Sequence, residues 1–336
     1  MKKLLSFLFI ITALVSCKKE ISSLSDLQSN FYALQNTPIH LKEVLEVTFD
    51  KNTDKIDSVA LFLNEISLKN KSILDSTNAT LGLNKLEMKV YVNGDSIWGK
   101  TQIPVLSSFE ETPVKFEIVN KYPHPAELFT EGLFFYNNKV YESAGQFGKS
   151  KLVNYSLGST DYTQEVTQDK DVFSEGATVF NNKIYQLTYR QRKVFVYDIT
   201  SLKLLETLKM PDMVKEGWGM TTNGLSLIIS DGTQNLYFFD ENLALQKKLQ
   251  IAGYLSIYTN LNELEYINDR IYANVWQTNY ILVINPESGA VEQYFDLASI
   301  SETQNTDDVL NGIAYYQNHL LVTGKNWSNL YEISMK

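Results

Sequence analysis

The chain has 336 residues, which is enough for two ordinary domains or one large one, and a formal net charge of −9. Because the balance is acidic and no basic patch stands out, the composition argues against binding to nucleic acid and against electrostatic docking on anionic lipid. A single cysteine excludes an internal disulfide, so packing alone must stabilise the fold.

Two lysines precede an apolar run at residues 4–15 that is too short to span a bilayer. The run ends in Leu-Val-Ser-Cys, which resembles the lipobox of bacterial lipoproteins; an ordinary secretory signal is the alternative. The resemblance implies a signal peptide over 1–16, lipidation of Cys17 and a lipidated polar tether over 17–36. It also implies anchoring in the cell envelope, and Lys18, in place of the aspartate associated with inner-membrane retention, favours the outer membrane.

Residues 37–113 alternate between apolar and polar in short bursts that are separated by Asn, Asp and Ser. This pattern, with Asn-Gly-Asp at 93–95, indicates short antiparallel strands joined by tight turns. About 75 residues of this kind suit a small immunoglobulin-like β-sandwich. No His, Cys or carboxylate cluster with catalytic spacing occurs in this sequence segment, so we expect a spacer or docking role.

Residues 114–336 repeat one pattern five times: a polar or aromatic residue, a short apolar strand, a tight turn and a second strand. The leading residues are separated by 44, 43, 44 and 49 positions, and they are Glu131, Glu175, Trp218, Asn262 and Asn311. Asn, Asp and Gly in the turns tolerate the positive φ that two-residue hairpins need. These turns fall at 137–138, 181–182, 223–224, 268–269 and 317–318. A further aromatic strand follows the second strand of each unit, and the first four units add an outer strand. Four-stranded units of about 40–50 residues are typical of β-propeller blades.

The last unit lacks a fourth strand of its own, and an additional strand at 114–120 precedes the first unit. We predict that this strand completes the last blade and closes the ring, which would remove an exposed sheet edge. The predicted fold class is therefore all-β, with a five-bladed β-propeller preceded by the small immunoglobulin-like sandwich.

Equivalent positions at one end of the innermost strands converge on one mouth of a propeller, so the five leading residues should meet around a pocket. Two carboxylates, an indole and two carboxamides are unusual in a core and suit the binding of a polar group. The alternative is that these side chains satisfy backbone ends or hold ordered water in the channel.

Six segments in order resemble the plant and bacterial glutaminyl-peptide cyclotransferases of the metal-independent type. They are "YPHPAELFTEGLFF", "FSEGATVF", "EGWGMTTNG", "SDGTQNLY", "LNELEYINDRIYANVWQ" and "VLNGIAYYQNHLLVTGKNW". The resemblance covers the chain from about residue 115 and not the segment before it. It implies a five-bladed propeller that converts the N-terminal Gln of peptides or proteins to pyroglutamate and releases ammonia. The alternatives are a non-catalytic, envelope-anchored binding module and a propeller enzyme of another class, such as a lactonase or a quinoprotein.

The same resemblance implies that Glu175 of "FSEG" is the catalytic acid and base. From its chemistry alone, Glu131 is the alternative proton shuttle, or it binds the ammonium form of the substrate directly. Two positions depart from the plant pattern, because Glu131 replaces a glutamine and Tyr189 replaces a tryptophan. These changes bear on the charge of the pocket and on substrate preference. The implied substrate-binding residues are Phe129, Glu131, Phe173, Tyr189, Trp218, Asn262, Trp276 and Lys325.

The three histidines, His40, His124 and His319, lack metal-ligand spacing, which disfavours a zinc mechanism. We therefore predict no cofactor, although a structural calcium ion is conceivable at Asp231 or at 307–308. Solvated or turn-capping roles are the expectation for those carboxylates, and a turn-capping role is the expectation for His124.

Overall fold

The structure is a computed structural model that describes residues 21–303 and 305–335. The signal peptide predicted for 1–16 and the lipidation site Cys17 lie outside these residues. The described chain is built from β-strands and four short 3₁₀ helices: Leu24–Leu27, Ala33–Asn36, Thr53–Lys55 and Ala298–Ile300. None of the described helices is long and apolar enough to cross a membrane. The all-β class predicted from the sequence is confirmed.

The N-terminal unit has two layers. Its strands are β1 (Ile39–His40), β2 (Val44–Glu46), β3 (Ile56–Leu63), β4 (Ile66–Leu68), β5 (Lys71–Ile73), β6 (Gly82–Val92) and β7 (Asp95–Leu106). One sheet has the order β1-β7-β6-β3-β4, and β2 pairs with β5 in a second sheet. An immunoglobulin constant-type domain divides seven strands into four and three. Here the division is five and two, and the helices Leu24–Leu27 and Ala33–Asn36 contact β7 of the larger sheet.

The prediction that residues 17–36 form a polar tether is wrong over most of this segment. Leu24, Leu27, Phe31 and Leu34 are buried in the core of the N-terminal unit, together with inward-facing side chains of β3, β6 and β7. A Cβ added at Gly99 of β7 would lie 2.6 Å from a Leu24 methyl carbon. The missing side chain on β7 therefore makes room for the first helix. The four apolar residues are spaced by three, four and three positions, which is the period of an amphipathic helix, so the sequence contained a signal that the tether prediction overlooked.

The remaining strands form a series of antiparallel sheets. Before the first of them come β8 (Thr112–Pro113) and β9 (Phe116–Pro123). Sheet 1 has β10 (Thr130–Tyr136), β11 (Lys139–Ala144), β12 (Lys151–Tyr155) and β13 (Tyr162–Thr167). Sheet 2 has β14 (Ser174–Phe180), β15 (Lys183–Thr188), β16 (Lys193–Asp198) and β17 (Leu204–Lys209). Sheet 3 has β18 (Met220–Thr222), β19 (Leu227–Ser230), β20 (Asn235–Phe239) and β21 (Leu245–Gln250). Sheet 4 has β22 (Leu261–Ile267), β23 (Arg270–Val275), β24 (Tyr280–Ile284) and β25 (Val291–Asp296). Sheet 5 has β26 (Leu310–Tyr316), β27 (His319–Gly324) and β28 (Asn329–Met335).

The sheets close into a ring. Each first strand contacts the first strand of the next sheet, and β26 of sheet 5 contacts β10 of sheet 1. The fourth strand of sheet 5 is β9, which pairs with β28 in the register Leu330 to Tyr122, as the sequence predicted for the strand before the first unit. The short strand β8 adds to the outer edge of sheet 4. Among the described residues, the ring contains five sheets and is closed, as a five-bladed propeller requires.

Four of the predicted two-residue hairpins have positive φ at both turn residues. They fall at 137–138, 181–182, 268–269 and 317–318. The third hairpin differs, because β18 ends at Thr222 and β19 begins at Leu227. In that longer turn only Gly224 has positive φ, and the Asn223 side chain accepts hydrogen bonds from the backbone of Leu225 and Ser226.

The N-terminal unit packs against sheets 3 and 4. Leu81 and Leu106 form a small apolar cluster with Ala252 and Ala290 of the ring. The Gln250 side chain accepts a hydrogen bond from the Leu83 N–H and donates one to the Leu83 carbonyl, both at 3.0 Å. This interface contributes no residue to the pocket described next.

Candidate active site

A cavity of about 210 Å³ lies at one end of the first strands. Ligand sites for drug-sized molecules have roughly 300–1,000 Å³, so this cavity suits a single amino-acid side chain. The structure brings all nine catalytic and substrate-binding residues assigned from the sequence to its wall, together with one residue that was not assigned. The lining residues are Phe129, Glu131, Phe173, Glu175, Tyr189, Trp218, Asn262, Trp276, Asp307 and Lys325.

The leading residues reach the cavity through irregular strand pairing. In sheets 1, 2, 4 and 5 the register between the first and second strands shifts next to the leading residue. A β-bulge adds one residue on one strand and redirects its side chain, and bulges are common beside active sites. The local sequence therefore turns Glu131, Glu175 and Asn262 toward the cavity.

Glycines that follow the leading residues let the strands converge. A Cβ added at Gly132 would lie 2.5 Å from the Ala177 nitrogen, and one at Gly176 would lie 2.4 Å from the Met220 nitrogen. At Gly219 the nearest atom would be the Asn262 carbonyl oxygen, at 1.9 Å. No side chain fits at these positions, so glycine is required for the close approach that narrows the ring at its pocket end.

Glu131 and Lys325 form a buried ion pair. The Lys325 Nζ lies 2.7 Å from Glu131 Oε1, and the exposed fractions of the two residues are 6% and 2%. Asn311 Nδ2 donates to Glu131 Oε2 at 3.1 Å and to the Thr130 carbonyl at 2.9 Å. The sequence placed Asn311 on the pocket wall, and this was wrong: its side chain lies behind the wall and orients Glu131.

Glu175 is the second buried carboxyl group of the cavity. Burial raises the pKa of Glu175 well above 4.5, and the negative charge and a hydrogen bond of Glu131 raise it further, while Lys325 opposes the rise. Burial also raises the pKa of Glu131, but the Lys325 ammonium group beside it favours the charged form. Because Glu131 has a cation and an amide donor, it is the carboxylate of the pair, and Glu175 carries the proton.

Aromatic side chains surround the two carboxyl groups. Phe129 and Phe173 pack edge to face at 6.2 Å between centroids, and Trp218 and Trp276 do so at 5.6 Å. The Lys325 ammonium group lies 4.6 Å from the centroid of the Phe129 ring. Such walls exclude water and strengthen the electrostatic interactions inside them.

Two further glycines make room for these walls, and the sequence reasoning missed them. A Cβ at Gly145 would lie 2.5 Å from the Phe173 ring and 2.9 Å from the Glu131 Cγ. A Cβ at Gly232 would lie 2.6 Å from the Trp218 ring. Each glycine follows the second strand of its sheet, and that position in the repeat is the signal that could have identified them.

Asn262 lines the cavity and has one buried side-chain atom without a hydrogen-bond partner. Its backbone carbonyl accepts a hydrogen bond from Ser230 Oγ at 2.8 Å, which anchors the residue. Its side-chain oxygen is buried and has no partner among the described residues. Buried polar atoms are normally paired, so this oxygen is available to a donor on a bound ligand.

Asp307 is the lining residue that the sequence did not assign to the pocket. Its backbone N–H donates to Asn305 Oδ1 at 2.8 Å, and its carboxylate is exposed at the cavity edge. The neighbouring Asp308 accepts a hydrogen bond from Asn326 at 2.9 Å and so holds the loop. Asp231 accepts from the Thr233 N–H, as expected for a turn-capping carboxylate.

The described residues contain no group of three or more His, Cys, Asp and Glu side chains that could hold a metal ion. Each histidine instead contacts one glutamate. His40 contacts Glu43 at 3.3 Å, while His124 and Glu142 are 3.0 Å apart. The prediction that His124 caps a turn is wrong, because both of its ring nitrogens contact buried oxygen atoms, those of Glu142 and of the Trp327 carbonyl.

Comparison with known proteins agrees with the geometry. The family model described as glutamine cyclotransferase matches residues 90–335. The glutaminyl-peptide cyclotransferase of Arabidopsis thaliana is 34% identical over 233 residues, which are 66% of this chain and 72% of that protein. The crystal structure of Myxococcus xanthus glutaminyl cyclase is similar, with a TM-score of 0.62 and 28% identity, over 68% of this chain and 99% of the other. The chain therefore belongs to the glutamine cyclotransferase family.

Proposed function

We propose that this protein converts the N-terminal glutamine of peptides or proteins to pyroglutamate and releases ammonia. The observation that carries the proposal is the buried pair of Glu175 and Glu131 in an aromatic cavity of side-chain size. Family membership supports the same reaction, since both relatives are named for glutaminyl cyclisation.

The reaction needs proton transfer more than it needs a strong nucleophile. The α-amino nitrogen attacks the side-chain carboxamide carbon, a five-membered ring forms, and the bond from that carbon to the amide nitrogen breaks. The attacking nitrogen loses one proton and the departing nitrogen gains one, so that ammonia leaves. An α-amino group has a pKa of about 7.7–8.0, so a useful fraction is neutral near pH 8 without a strong base.

Glu175 is suited to be the proton shuttle. With its pKa raised by burial, it enters the reaction protonated and donates to the departing nitrogen. It then recovers a proton from the ring nitrogen and ends the turnover as it began. Glu131 keeps the negative charge that holds this proton on Glu175, and Lys325 holds Glu131 in place.

The other lining residues bind the substrate. The free side-chain oxygen of Asn262 accepts a hydrogen bond from an N–H of the substrate. Phe129, Phe173, Tyr189, Trp218 and Trp276 cover its methylene groups and exclude water. Holding one conformer matters, because a well-oriented intramolecular reaction is faster by many orders of magnitude.

The deciding experiment follows ammonia release from a dipeptide that begins with glutamine, with and without a chelator. We propose a mechanism without a metal or other cofactor, so equal turnover is expected in both conditions. Absence of turnover would contradict the proposed activity. Turnover that the chelator abolishes would instead contradict the metal-free mechanism.

Glu131→Gln is expected to move the alkaline limb of the pH profile of kcat to lower pH. The Glu131 charge raises the pKa of Glu175, and its removal also leaves Lys325 without its carboxylate partner. Both changes favour the ionised form of Glu175, so the shuttle loses its proton at a lower pH. A kcat profile between pH 6 and 10 measures the limb, and a limb that stays or moves upward contradicts this assignment of roles.

We also propose that Cys17 is lipidated and that the protein is anchored to the bacterial outer membrane. The lipobox-like sequence before Cys17 supports this, as does Lys18 after it. Cys17→Ser is expected to abolish incorporation of a labelled fatty acid during expression and to release the protein from the membrane fraction. Retention of the label in that variant would exclude Cys17 as the site.

A further inference from the structure

A second buried polar cluster lies directly behind the ion pair, with Glu142 at its centre. Glu142 Oε2 lies 3.0 Å from His124 Nε2 and accepts a hydrogen bond from the Tyr155 hydroxyl at 2.8 Å. Glu142 Oε1 accepts from Thr130 Oγ1 at 2.6 Å. The side chains of His124 and Glu142 are fully buried, yet neither of them lines the cavity.

The contacts of this cluster define its charges. The second ring nitrogen of His124, Nδ1, lies 2.7 Å from the Trp327 carbonyl oxygen. Both ring nitrogens therefore face oxygen atoms, an arrangement that favours the doubly protonated, cationic ring. Burial alone lowers the pKa of His124, but the charge of Glu142 and the two hydrogen bonds raise it. Glu142 accepts hydrogen bonds from the Thr130 and Tyr155 hydroxyls in addition to its contact with the His124 ring.

The cluster touches the backbone on both sides of the ion pair. Thr130 immediately precedes Glu131, and its hydroxyl lies 3.3 Å from the carbonyl of Gly324, which immediately precedes Lys325. The backbone N–H of His124 donates a hydrogen bond to the Ser328 carbonyl at 3.0 Å. Glu131 and Glu142 belong to sheet 1, while Lys325 and Trp327 follow the second strand of sheet 5. The cluster thus joins the two sheets that carry the two members of the ion pair.

We propose that His124 and Glu142 are positioning residues for the reaction. As the buried ion pair between sheets 1 and 5, they set the separation of Glu131 and Lys325 and, through these two residues, the environment of Glu175. The inference rests on the proposed cyclase function. Misplacement of a reacting group by roughly 1 Å can cost about a hundredfold in rate, so a residue outside the pocket can matter through geometry alone.

The chain contains a control of the same chemistry that is less buried. His319 Nδ1 lies 2.5 Å from Glu332 Oε1, and Glu332 also accepts a hydrogen bond from the Tyr122 hydroxyl at 2.8 Å. This second histidine, glutamate and tyrosine cluster lies within sheet 5 alone, across strands β27, β28 and β9. Its residues do not line the pocket or hydrogen-bond to residues adjacent to Glu131 or Lys325.

The test compares His124→Asn with His319→Asn on a dipeptide that begins with glutamine. For His124→Asn we expect kcat to fall by about tenfold to a hundredfold while KM changes little, because only the position of reacting groups is altered. For His319→Asn we expect unchanged kcat and KM. Melting temperatures show whether both variants are folded. If His124→Asn does not fold, Tyr155→Phe replaces it, with Tyr122→Phe as its control, because each removes a single hydroxyl.

A double mutant separates positioning from a general loss of structure. If His124 acts through Glu131 and Lys325, its replacement should have a much smaller effect in a Glu131→Gln background. An equal fractional loss in both backgrounds, or a folded His124→Asn with wild-type kcat, would overturn the inference. Absence of turnover in the wild-type protein is a different result, because it would overturn the proposed function itself.

Discussion

Glu175→Gln is expected to lower kcat by about 10²–10⁴-fold, the usual contribution of a positioned general acid or base. Glutamine keeps the size of the side chain but cannot release or recover a proton. KM is expected to change little, because the aromatic walls and Asn262 remain. The fold should be retained, because the Glu131 charge already disfavours ionisation of Glu175. The change therefore replaces a neutral carboxyl group by a neutral amide. Ammonia release under saturating dipeptide measures the effect.

Glu265→Gln is the matched control for this variant. Glu265 carries a partly buried carboxyl group, and desolvation raises the pKa of Glu265 to about 8. It accepts a hydrogen bond from the Tyr315 N–H at 3.1 Å and does not line the cavity. We expect unchanged kcat in Glu265→Gln. Near wild-type activity in Glu175→Gln would transfer the shuttle role to Glu131.

Lys325→Met is expected to destabilise the protein by about 3–5 kcal/mol, because it leaves the buried Glu131 without its cation. Methionine fills similar space, so the loss reflects the charge rather than a cavity. Lys151→Met is the control: Lys151 is also 2.7 Å from a carboxylate, that of Glu165, but this pair is partly exposed. Pairs near the surface contribute about 0–1 kcal/mol. Urea unfolding midpoints of both variants, against the wild type, measure the difference.

The loss of stability in Lys325→Met should depend on pH. Burial raises the pKa of Glu131 in the folded state, and the loss of Lys325 removes the strongest interaction that opposes that rise. Below the unfolded-state pKa of about 4.3 the carboxyl group is protonated in both states and adds no cost. As pH increases above that value, the unfolded state releases the proton first and folding becomes less favourable. The destabilisation should therefore be small near pH 4 and large near pH 8, and equal losses at both would contradict the explanation.

The repeat register explains why so much of the pocket could be predicted. Glu131, Glu175, Trp218 and Asn262 stand at equivalent positions of successive repeats, and a closed ring brings equivalent positions to the same end. The turn residues supported the same register, because asparagine pairs such as 181–182 adopt the positive φ expected of them. The remaining pocket residues followed from the family resemblance rather than from the period.

What could not be predicted depends on orientation and on irregular segments. Asn311 has the right register, yet its amide turns toward Glu131 and Thr130 instead of the cavity. Asp307 lies in the loop between sheets 4 and 5, where the repeat is longest and no equivalent position exists in the other sheets. His124 lies between β9 and sheet 1, outside the repeat unit, and its partner Glu142 is 18 positions later, in the second strand of sheet 1. Spacing carries no information about such contacts, which arise only when the ring closes.

Closure of the ring also has a consequence for folding. The strand Asn329–Met335 pairs with Phe116–Pro123, more than 200 residues earlier in the chain. Pairings of such high sequence separation form slowly, because loop-closure entropy is lost before the contact stabilises the chain. During synthesis, sheets 1 to 4 are complete before the strand that joins sheet 5 to β9 emerges. Glu131 and Lys325 can therefore meet only in the last step, so the cavity is assembled only once the whole ring has formed.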